Sequence, residues 1–546
     1  MLMLSVLMMV RMMVRMIVRM MTLHMILQMI LLKISHSSPA ISPKHGKMLT
    51  KLTKMKDFRI YICICQKFFV ILRSELLCVH MYMHHIRTYE KAQLKFAAMK
   101  ITVEGFKSIK NVVDFEFSPL TLLAGVNSSG KSSLIQVLLL LKQTLNSKDI
   151  VYVNGPYVYA ESVRDLLFGK KQGDLKIVLS AMADEMQDAS KRKFAALLGK
   201  KGQVANMTTT ITFRVNGKVK LTHLNMQLNG KHTESYSWQL DALPSTGNLY
   251  ELHVKQVTLD GVELTKDIDR CVPRFENFIP LYIEENQNED ASVMGVSVSK
   301  SVATEALLFY LREMLNSLFY IKALRVEPDL KKSYNTAVNR AYIDPDGQNL
   351  QFVYNEKKND IVRQNETLSQ ALVRWLSAKF QLSQNIEIKQ DEEKLYHTLL
   401  RMQKGLDVDL CQVGFGVSQV LPILVQGLLT PKGGTLIVED PEVHMHPSVQ
   451  AGLVDFFIEM IKDGKRVIVE THSDHIITRL RRRIAEKAFS PADVNLCFVS
   501  MVPEQGSLYT TIDVQEQGNL RAPLPKGFLD VQDEDFRAIL HAKLEK

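Results

Sequence analysis

Gly125-Val126-Asn127-Ser128-Ser129-Gly130-Lys131-Ser132-Ser133 decides how the rest of the chain is read. It fits the phosphate-loop pattern G-x-x-x-x-G-K-[ST] at each fixed position. Before it, Leu120-Thr121-Leu122-Leu123-Ala124 is a short apolar run that predicts a buried strand. After it, residues 134–145 are apolar almost all round and predict a buried helix. Strand, glycine loop and helix start, in that order, aim successive backbone N–H groups at an anion. Gly125 and Gly130 let the backbone turn tightly and approach phosphate. On this pattern Asn127, Ser128, Ser129 and Ser133 belong to the nucleotide cradle with the two glycines. Lys131 reaches the β- and γ-phosphates of ATP, and the Ser132 hydroxyl sits on Mg2+. A chance glycine turn before a core helix would use the same residue types, but the flanks weigh against it.

The chain has 546 residues, too many for one compact core, so two or three domains are expected. With 46% apolar and 23% charged residues the composition is globular rather than disordered. The net charge of +10 suggests a nucleic-acid partner, but its location undermines that. Residues 1–98 hold fifteen Lys/Arg against three Asp/Glu, which leaves 53 basic and 55 acidic residues in the remainder. A local basic groove stays open, and with it DNA as a partner. Cys63, Cys65, Cys78, Cys271, Cys411 and Cys497 form neither a disulfide framework nor a zinc pattern. They suit a reducing cytosol, so a cytoplasmic location is expected.

Residues 1–98 differ from all that follows. Arg11, Arg15 and Arg19 recur at helical spacing within a Met-rich run. Three arginines interrupt any membrane span, so stable insertion is not expected. A basic amphipathic surface or targeting helix is one reading. The favoured one is a start assigned too far upstream, because Met99-Lys100-Ile101-Thr102-Val103-Glu104-Gly105-Phe106 makes a plausible first strand. Neither reading gives the segment any chemistry.

Ile101-Thr102-Val103 and residues 112–117 predict two strands around a polar turn at residues 105–111. Strands are predicted at residues 175–179, 208–215, 218–224 and 249–259, with Asn216-Gly217 and Asn229-Gly230 as turn signals. Helices are predicted over 306–318 and 368–380. No sustained heptads appear, so the middle of the chain is no coiled-coil arm. Further on, Gly434-Thr435-Leu436-Ile437-Val438-Glu439-Asp440-Pro441-Glu442 is an apolar run ending in acids. A buried strand of this kind delivers carboxylates to the edge beside a phosphate loop. Residues 449–463 predict an amphipathic helix, stopped by Gly464. Lys465-Arg466-Val467-Ile468-Val469-Glu470-Thr471-His472-Ser473 predicts a further buried strand and closes a βαβ unit. His444 and His446, at i and i+2, have ligand-like spacing but little else to support a metal site. Arg479-Leu480-Arg481-Arg482-Arg483 is a basic helix, by default a solvated face and alternatively a phosphate contact.

Phe106-Lys107-Ser108-Ile109-Lys110 with the phosphate loop resembles the opening of RecF-, SMC- and OLD-type ATPases. The resemblance spans residues 99–546, strong at both ends and weak in the middle. It implies an α/β P-loop NTPase core of ABC-like type, split by a β-rich insertion, with a small mixed C-terminal region. The divisions expected are 1–98, 99–170, 171–404, 405–480 and 481–546. The resemblance also puts Lys107 and Ser108 near the nucleotide. It assigns Glu439 to Mg2+ through water, Asp440 to the general base, and His472 to a switch that senses the γ-phosphate. Asp stands where the family usually has Glu, which implies either slow hydrolysis or help from a neighbour such as Glu442. Val413-Gly414-Phe415-Gly416-Val417-Ser418-Gln419 resembles a rearranged ABC signature, with Ser418 contacting ATP held by a second protomer. A head-to-tail, ATP-dependent homodimer follows from that. Gln136 and Gln143 have ordinary helix roles, and no Gln takes the place of a Q-loop. Arg325 is read either as a site residue or as a surface salt bridge. The Toprim metal pairs of OLD nucleases are absent from the sequence, so no nuclease activity of its own is expected, and a separate nuclease or effector is implied. Family members mostly serve DNA repair or phage defence. Two other functions stay open: an ATP-binding switch or scaffold with little turnover, and the ATPase subunit of a membrane transporter. The large insertion and the rearranged signature count against the transporter.

Overall fold

The computed structural model describes residues 99–170, 172–182, 204–216, 218–244, 248–257, 261–285, 295–296, 302–326, 341–390, 396–402, 405–522 and 531–544. The readings of residues 1–98, of the turn-rich stretch after Val326 and of Gly527-Phe528-Leu529-Asp530 lie outside them.

Met99–Glu104 (β1) and Val113–Phe117 (β2) alternate buried and accessible side chains and pair as an antiparallel hairpin. Leu120–Ala124 (β3) is buried throughout. Lys131–Leu145 (α1) starts at the phosphate loop and is buried along nearly its whole length. The link between β1 and β2 is no polar turn: Phe106 and Ile109 are fully buried. Phe106 bridges to Leu167 and Ile109 to Gly506, which anchors the link against two distant segments.

Gly173–Met182 (β4), Val204–Asn216 (β5), Lys218–Gly230 (β6), Ser235–Ala242 (β7), Tyr250–Val257 (β8), Glu263–Glu276 (β9), Ile279–Glu285 (β10) and Gly295–Val296 (β11) form an antiparallel meander. The first turn signal fits the β5–β6 junction. At the second, Asn229-Gly230 ends a strand, and the turn falls at residues 231–234. β4 pairs with β1, so the meander continues the N-terminal hairpin into one ten-stranded sheet.

Val302–Asn316 (α2) leads into Leu318–Ile321 (β12), and Leu350–Lys357 (α3) follows. A two-stranded ribbon of Ile361–Arg363 (β13) and Glu366–Thr367 (β14) precedes Leu368–Arg374 (α4). The predicted 368–380 helix is realised as α4 plus a π-helical turn over Trp375–Lys379. A small sheet of Asn385–Gln390 (β15), Tyr396–Arg401 (β16) and Asp407–Asp409 (β17) follows. Then come Phe415–Leu429 (α5), Thr435–Glu439 (β18), Pro447–Lys462 (α6), Arg466–Thr471 (β19) and Asp474–Ala485 (α7). Val494–Val502 (β20), Gly506–Ile512 (β21) and Val531–Leu544 (α8) complete the described chain.

The second large sheet has the order β12-β18-β19-β3-β20-β21, parallel except for β21. β12, β18, β19 and β3 are buried on both faces, as the inner strands of an α/β sheet are, while the edge strand β21 is partly exposed. Leu123, Ile437 and Ile468 face the core containing α1, while Leu122, Leu436, Val438, Val467 and Val469 face the core containing α5, α6 and α7. Thus the α/β P-loop core and the β-rich insertion are both present. The sequence divisions cut across this sheet: β12 comes from the 171–404 stretch and β20 and β21 from the C-terminal one. Parallel pairing joins strands far apart in sequence, so no composition shift marks the junction.

The basic stretch in α7 is neither bare nor solvated alone. Arg479 and Arg483 pair with Asp455 of α6, Arg482 pairs with Glu486, and Arg481 donates to the Gly518 carbonyl. These arginines fasten α7 to its neighbours, which removes much of the charge a phosphate backbone would need.

Candidate functional site

β3, β19 and β18 lie side by side in parallel register, with Ala124 opposite Thr471 and Glu470 opposite Glu439. The phosphate loop, the 471–473 segment and the acids at 439–442 therefore leave the sheet at one edge, the place where open α/β sheets bind ligands.

The loop is built to bring backbone close. Gly130 has φ +101 and its added Cβ would collide with Ser507 Oγ and Ser108 Oγ. The loop is held from outside by β21: Ser507 Oγ donates to the Ser129 carbonyl at 2.7 Å and Tyr509 Oη to the Gly130 carbonyl at 2.7 Å. Gly125 approaches the Val499 carbonyl of β20 as closely as Gly130 approaches these hydroxyls. Asn127 and Ser128 are exposed at the mouth, with Ser128 at φ +61, whereas Ser129 is buried with its Oγ unpartnered. Ser133 faces away, sharing a 2.8 Å hydrogen bond with Ser108.

Lys131 is 3% exposed, and its Nζ donates to the Gly125 and Val126 carbonyls at 3.2 and 3.0 Å. Burial lowers its pKa, and Glu470, Asp440 and Glu442 oppose that. Ser132 Oγ donates to Glu470 Oε1 at 2.9 Å. Glu439 Oε2 accepts from Tyr320 Oη of β12 at 2.8 Å. Burial pushes Glu439 up to about 7, with Asp440 adding and Tyr320 opposing. Glu470 is pushed up by burial and by Glu439. Lys107, at φ +46, donates to Gln136 Oε1 at 2.6 Å; burial lowers its pKa and Glu439 opposes. Lys107 thus belongs to the electrostatic surroundings of the acids, and Gln136 is its anchor. Gln143 is buried and pins the 152–158 loop by bonds to Tyr152, Tyr157 and Val158.

Asp440 sits just past the end of β18 at φ +40, a conformation that costs an L-residue about 1–3 kcal/mol unless its surroundings fix it. Two contacts fix it. Its N–H donates to the Glu470 carbonyl at 2.9 Å, and its own carbonyl accepts from Arg325 Nη2 at 3.0 Å. Arg325 also donates from Nε to Gln419 Oε1 at 3.1 Å and is 7% exposed, so the surface salt bridge is excluded. Burial lowers Arg325 to about 10. Glu442 accepts from Thr471 Oγ1 at 2.8 Å and from the His472 N–H at 2.5 Å, a brace between the acid loop and β19. His472 Nε2 stands 3.9 Å from Asp440 Oδ1, outside hydrogen-bond range. Burial and Lys131 lower its pKa, and Asp440 opposes.

Ser418 is a different case. It is 5% exposed in the first turn of α5 and donates to the Phe415 carbonyl at 2.7 Å. Its polar contact is inside its own helix, whereas Gly414 and Phe415 at the helix start are exposed. His444 and His446 do not form a pair. His446 caps α6 through Ser448, and the His444 ring lies 5.8 Å from that of Phe415.

Ser129 Oγ, Glu439 Oε1, Asp440 Oδ1 and Glu470 Oε2 are buried without hydrogen-bond partners. They all belong to this edge, and all are hard oxygen donors. No cage of three or more His, Cys, Asp or Glu side chains exists among the described residues. That donor set fits Mg2+, which keeps water and substrate phosphates in its shell and needs few protein ligands. Sequence reasoning missed Glu470, Tyr320, Ser507 and Tyr509. An acid within an apolar strand was the available signal for Glu470.

A family model described as an AAA ATPase domain matches residues 99–477. Among solved structures, the chain is similar to an SMC head bound to the C-winged helix domain of ScpA, with TM-score 0.40 and 12% identity over 77% of this chain and 98% of that one. An SMC head domain from Thermotoga maritima gives TM-score 0.30 and 12% identity over 77% and 100%. An Smc head with an extended coiled coil, bound to the C-terminal domain of ScpA and derived from Pyrococcus furiosus, gives 0.38 and 12% over 82% and 99%. No curated protein matches. No helix among the described residues is long and apolar enough to cross a membrane.

Proposed function

The chain belongs to the AAA ATPase domain family, and from that premise we propose that it binds and hydrolyses Mg2+-ATP at the edge formed by β3, β19 and β18. The observation that carries this is the convergence of Lys131, Ser132, Glu439, Asp440 and His472, with buried carboxylate oxygens left unpartnered among them.

Backbone N–H groups of residues 127–131 and the start of α1 cradle the phosphates. Lys131 exchanges its loop carbonyls for the β- and γ-phosphates. Ser132 and Glu439 would hold the cation, which would supply charge neutralisation there. Asp440 takes the proton of the attacking water, and its fixed backbone sets the direction of that carboxylate. His472 donates to the γ-phosphate and registers its departure.

The reading extends to a head-to-tail homodimer of OLD/RecF-like type, serving DNA repair or phage defence through a separate effector. The exposed start of α5 supports it, because a long helix presents free N–H groups there. In that arrangement Ser418 turns from Phe415 towards the partner's γ-phosphate. ATP turnover and light scattering of wild type, Asp440→Asn and Asp440→Glu test this together. Expected are turnover in wild type, loss of at least about 10²-fold in Asp440→Asn, and ATP-stabilised dimers of Asp440→Asn. Dimers without turnover in any of the three would favour a switch. Neither dimers nor turnover would end the proposal.

A further inference from the structure

Resting on the Mg2+-ATP reading, we propose that Glu470 is a positioning residue for the cation: it orients the Ser132 hydroxyl and adds a second carboxylate, beside Glu439, to the outer sphere of Mg2+.

Glu470 is the penultimate residue of β19, between the strand that carries the phosphate loop and the strand that carries Glu439. Parallel register puts Glu439 and Glu470 opposite one another, so both leave the sheet on the same side. Glu470 is 5% exposed. One oxygen accepts from Ser132 Oγ at 2.9 Å, and the other is buried without a partner. An acid placed there only to balance Lys131 would sit in contact with it. Instead the ammonium stands 3.9 Å away and donates to the Gly125 and Val126 carbonyls. A buried carboxylate oxygen without a donor costs free energy, and a hydrated divalent cation at Ser132 would remove that cost. The backbone of Glu470 does separate work, accepting the Asp440 N–H, so a side-chain substitution leaves the posture of Asp440 in place.

The consequence is a sign change. Without the cation, the Glu470 carboxylate stands against a polyphosphate. With it, the carboxylate holds the water and hydroxyl shell that joins metal to loop. Nucleotide affinity should therefore depend on Mg2+ more steeply than Ser132 and Glu439 alone would make it.

The test is titration of a fluorescent ATP analogue into the full chain, in Mg2+ and in EDTA. The readout is the ratio of the two affinities, and thermal melts serve as the folding check. In Glu470→Gln the Mg2+ gain should fall at least about tenfold, largely through tighter binding in EDTA. In a Ser132→Ala background the same substitution should change the gain by less than it does in wild type, because part of its effect runs through the Ser132 contact. Glu470→Asp keeps the charge but withdraws it from Ser132, and it stands in where the Gln variant does not fold; its gain should also fall. A wild-type gain in Glu470→Gln or Glu470→Asp, with only a lower melting point, would make the residue a structural partner of Lys131 and overturn this inference alone. A wild type that binds no nucleotide in either buffer would overturn the proposed function as well.

Discussion

The two ends of the six-stranded sheet both bury lysine, and they do it in opposite ways. At the N-terminal ends of the strands, Lys465 donates to the Gly427 and Leu428 carbonyls at 2.9 Å each, closing the end of α5. Lys142 likewise donates to the Asn316 carbonyl at the end of α2 and to the Leu318 carbonyl at the start of β12. Burial lowers both to about 8, and their partners are neutral carbonyls, three of them at helix ends, which favour a cation. At the C-terminal ends, Lys131 is surrounded by acids with unpartnered oxygens and lies next to a residue at positive φ. One end is satisfied and the other is not. Local rules broken together at one edge mark a site; the same residue type fully paired marks structure.

The largest effect should come from exchanging the two kinds of lysine. Lys131→Met should lower ATP turnover by at least about 10²-fold, since one preorganised charge on developing phosphate charge is worth that much. Its melting point should fall less than that of Lys465→Met, because Val126 at the loop mouth is exposed and its carbonyl can turn to water. Lys465→Met should do the reverse, costing about 3 kcal/mol by stranding two buried carbonyls while leaving nucleotide affinity unchanged. Turnover assays and melts on the same two preparations check both. Equal melting losses in the pair would erase the distinction between the ends.

This contrast was only partly legible beforehand. The phosphate loop, β18 and β19 are local signals, a glycine pattern and apolar runs ending in polar residues, so Lys131, Ser132, Glu439, Asp440 and His472 could be placed by number. Glu470 lies inside such a run, and only the register with Glu439 makes it a neighbour of Ser132. Tyr320 is 119 positions from Glu439, and Arg325 reaches Gln419 and Asp440 across 94 and 115 positions. No periodicity encodes pairs of that separation. The same applies to Ser507 and Tyr509, which support the loop from 378 and 379 residues away. Of the ten-stranded sheet, β1, β2, β4, β5, β6 and β8 were readable as strands while β7, β9, β10 and β11 were not, and its continuation from β1 was not readable because pairing between β1 and β4 spans the whole first half of the core.

A pH series sharpens the same comparison at smaller scale. Glu439 has its folded pKa raised from 4.5 to about 7, so the folded state holds the proton over that range and the unfolded state does not. Stability from this group is full below pH 4.5 and is lost as pH rises towards 7. His472 is shifted down, so its contribution is present above its ordinary value and lost as pH falls. His472 opposes Glu439, but Glu470, pushed up to about 8 by burial, acts in the same direction as Glu439, so metal-free stability should fall overall between pH 5 and 7. Melts in EDTA check it, and Glu439→Gln should make the slope shallower. The slope that survives Glu439→Gln should be lost in the double variant with Glu470→Gln; a slope that survives both would assign the pH response to other groups.

The smallest effect belongs to the antiparallel meander. Arg214 on β5 meets Asp174 on β4 through two hydrogen bonds of 2.8 and 2.9 Å, good geometry on a solvent-facing pair. Exposed cross-strand pairs of this kind contribute about 0.2–1 kcal/mol. Arg214→Ala should therefore lower stability by no more than about 0.5–1 kcal/mol, and less in high salt. It should leave ATP affinity where it was, because the cost of the missing pair is met by water at the sheet surface. A change in nucleotide affinity from so exposed a substitution would require the meander to carry strain to the phosphate loop. The path available is through β4 and β1 to Phe106 and Ser108, the segment that braces the loop at Ser133. Arg214→Ala thus decides whether the ten-stranded sheet is a passenger on the ATPase core or part of its mechanical linkage.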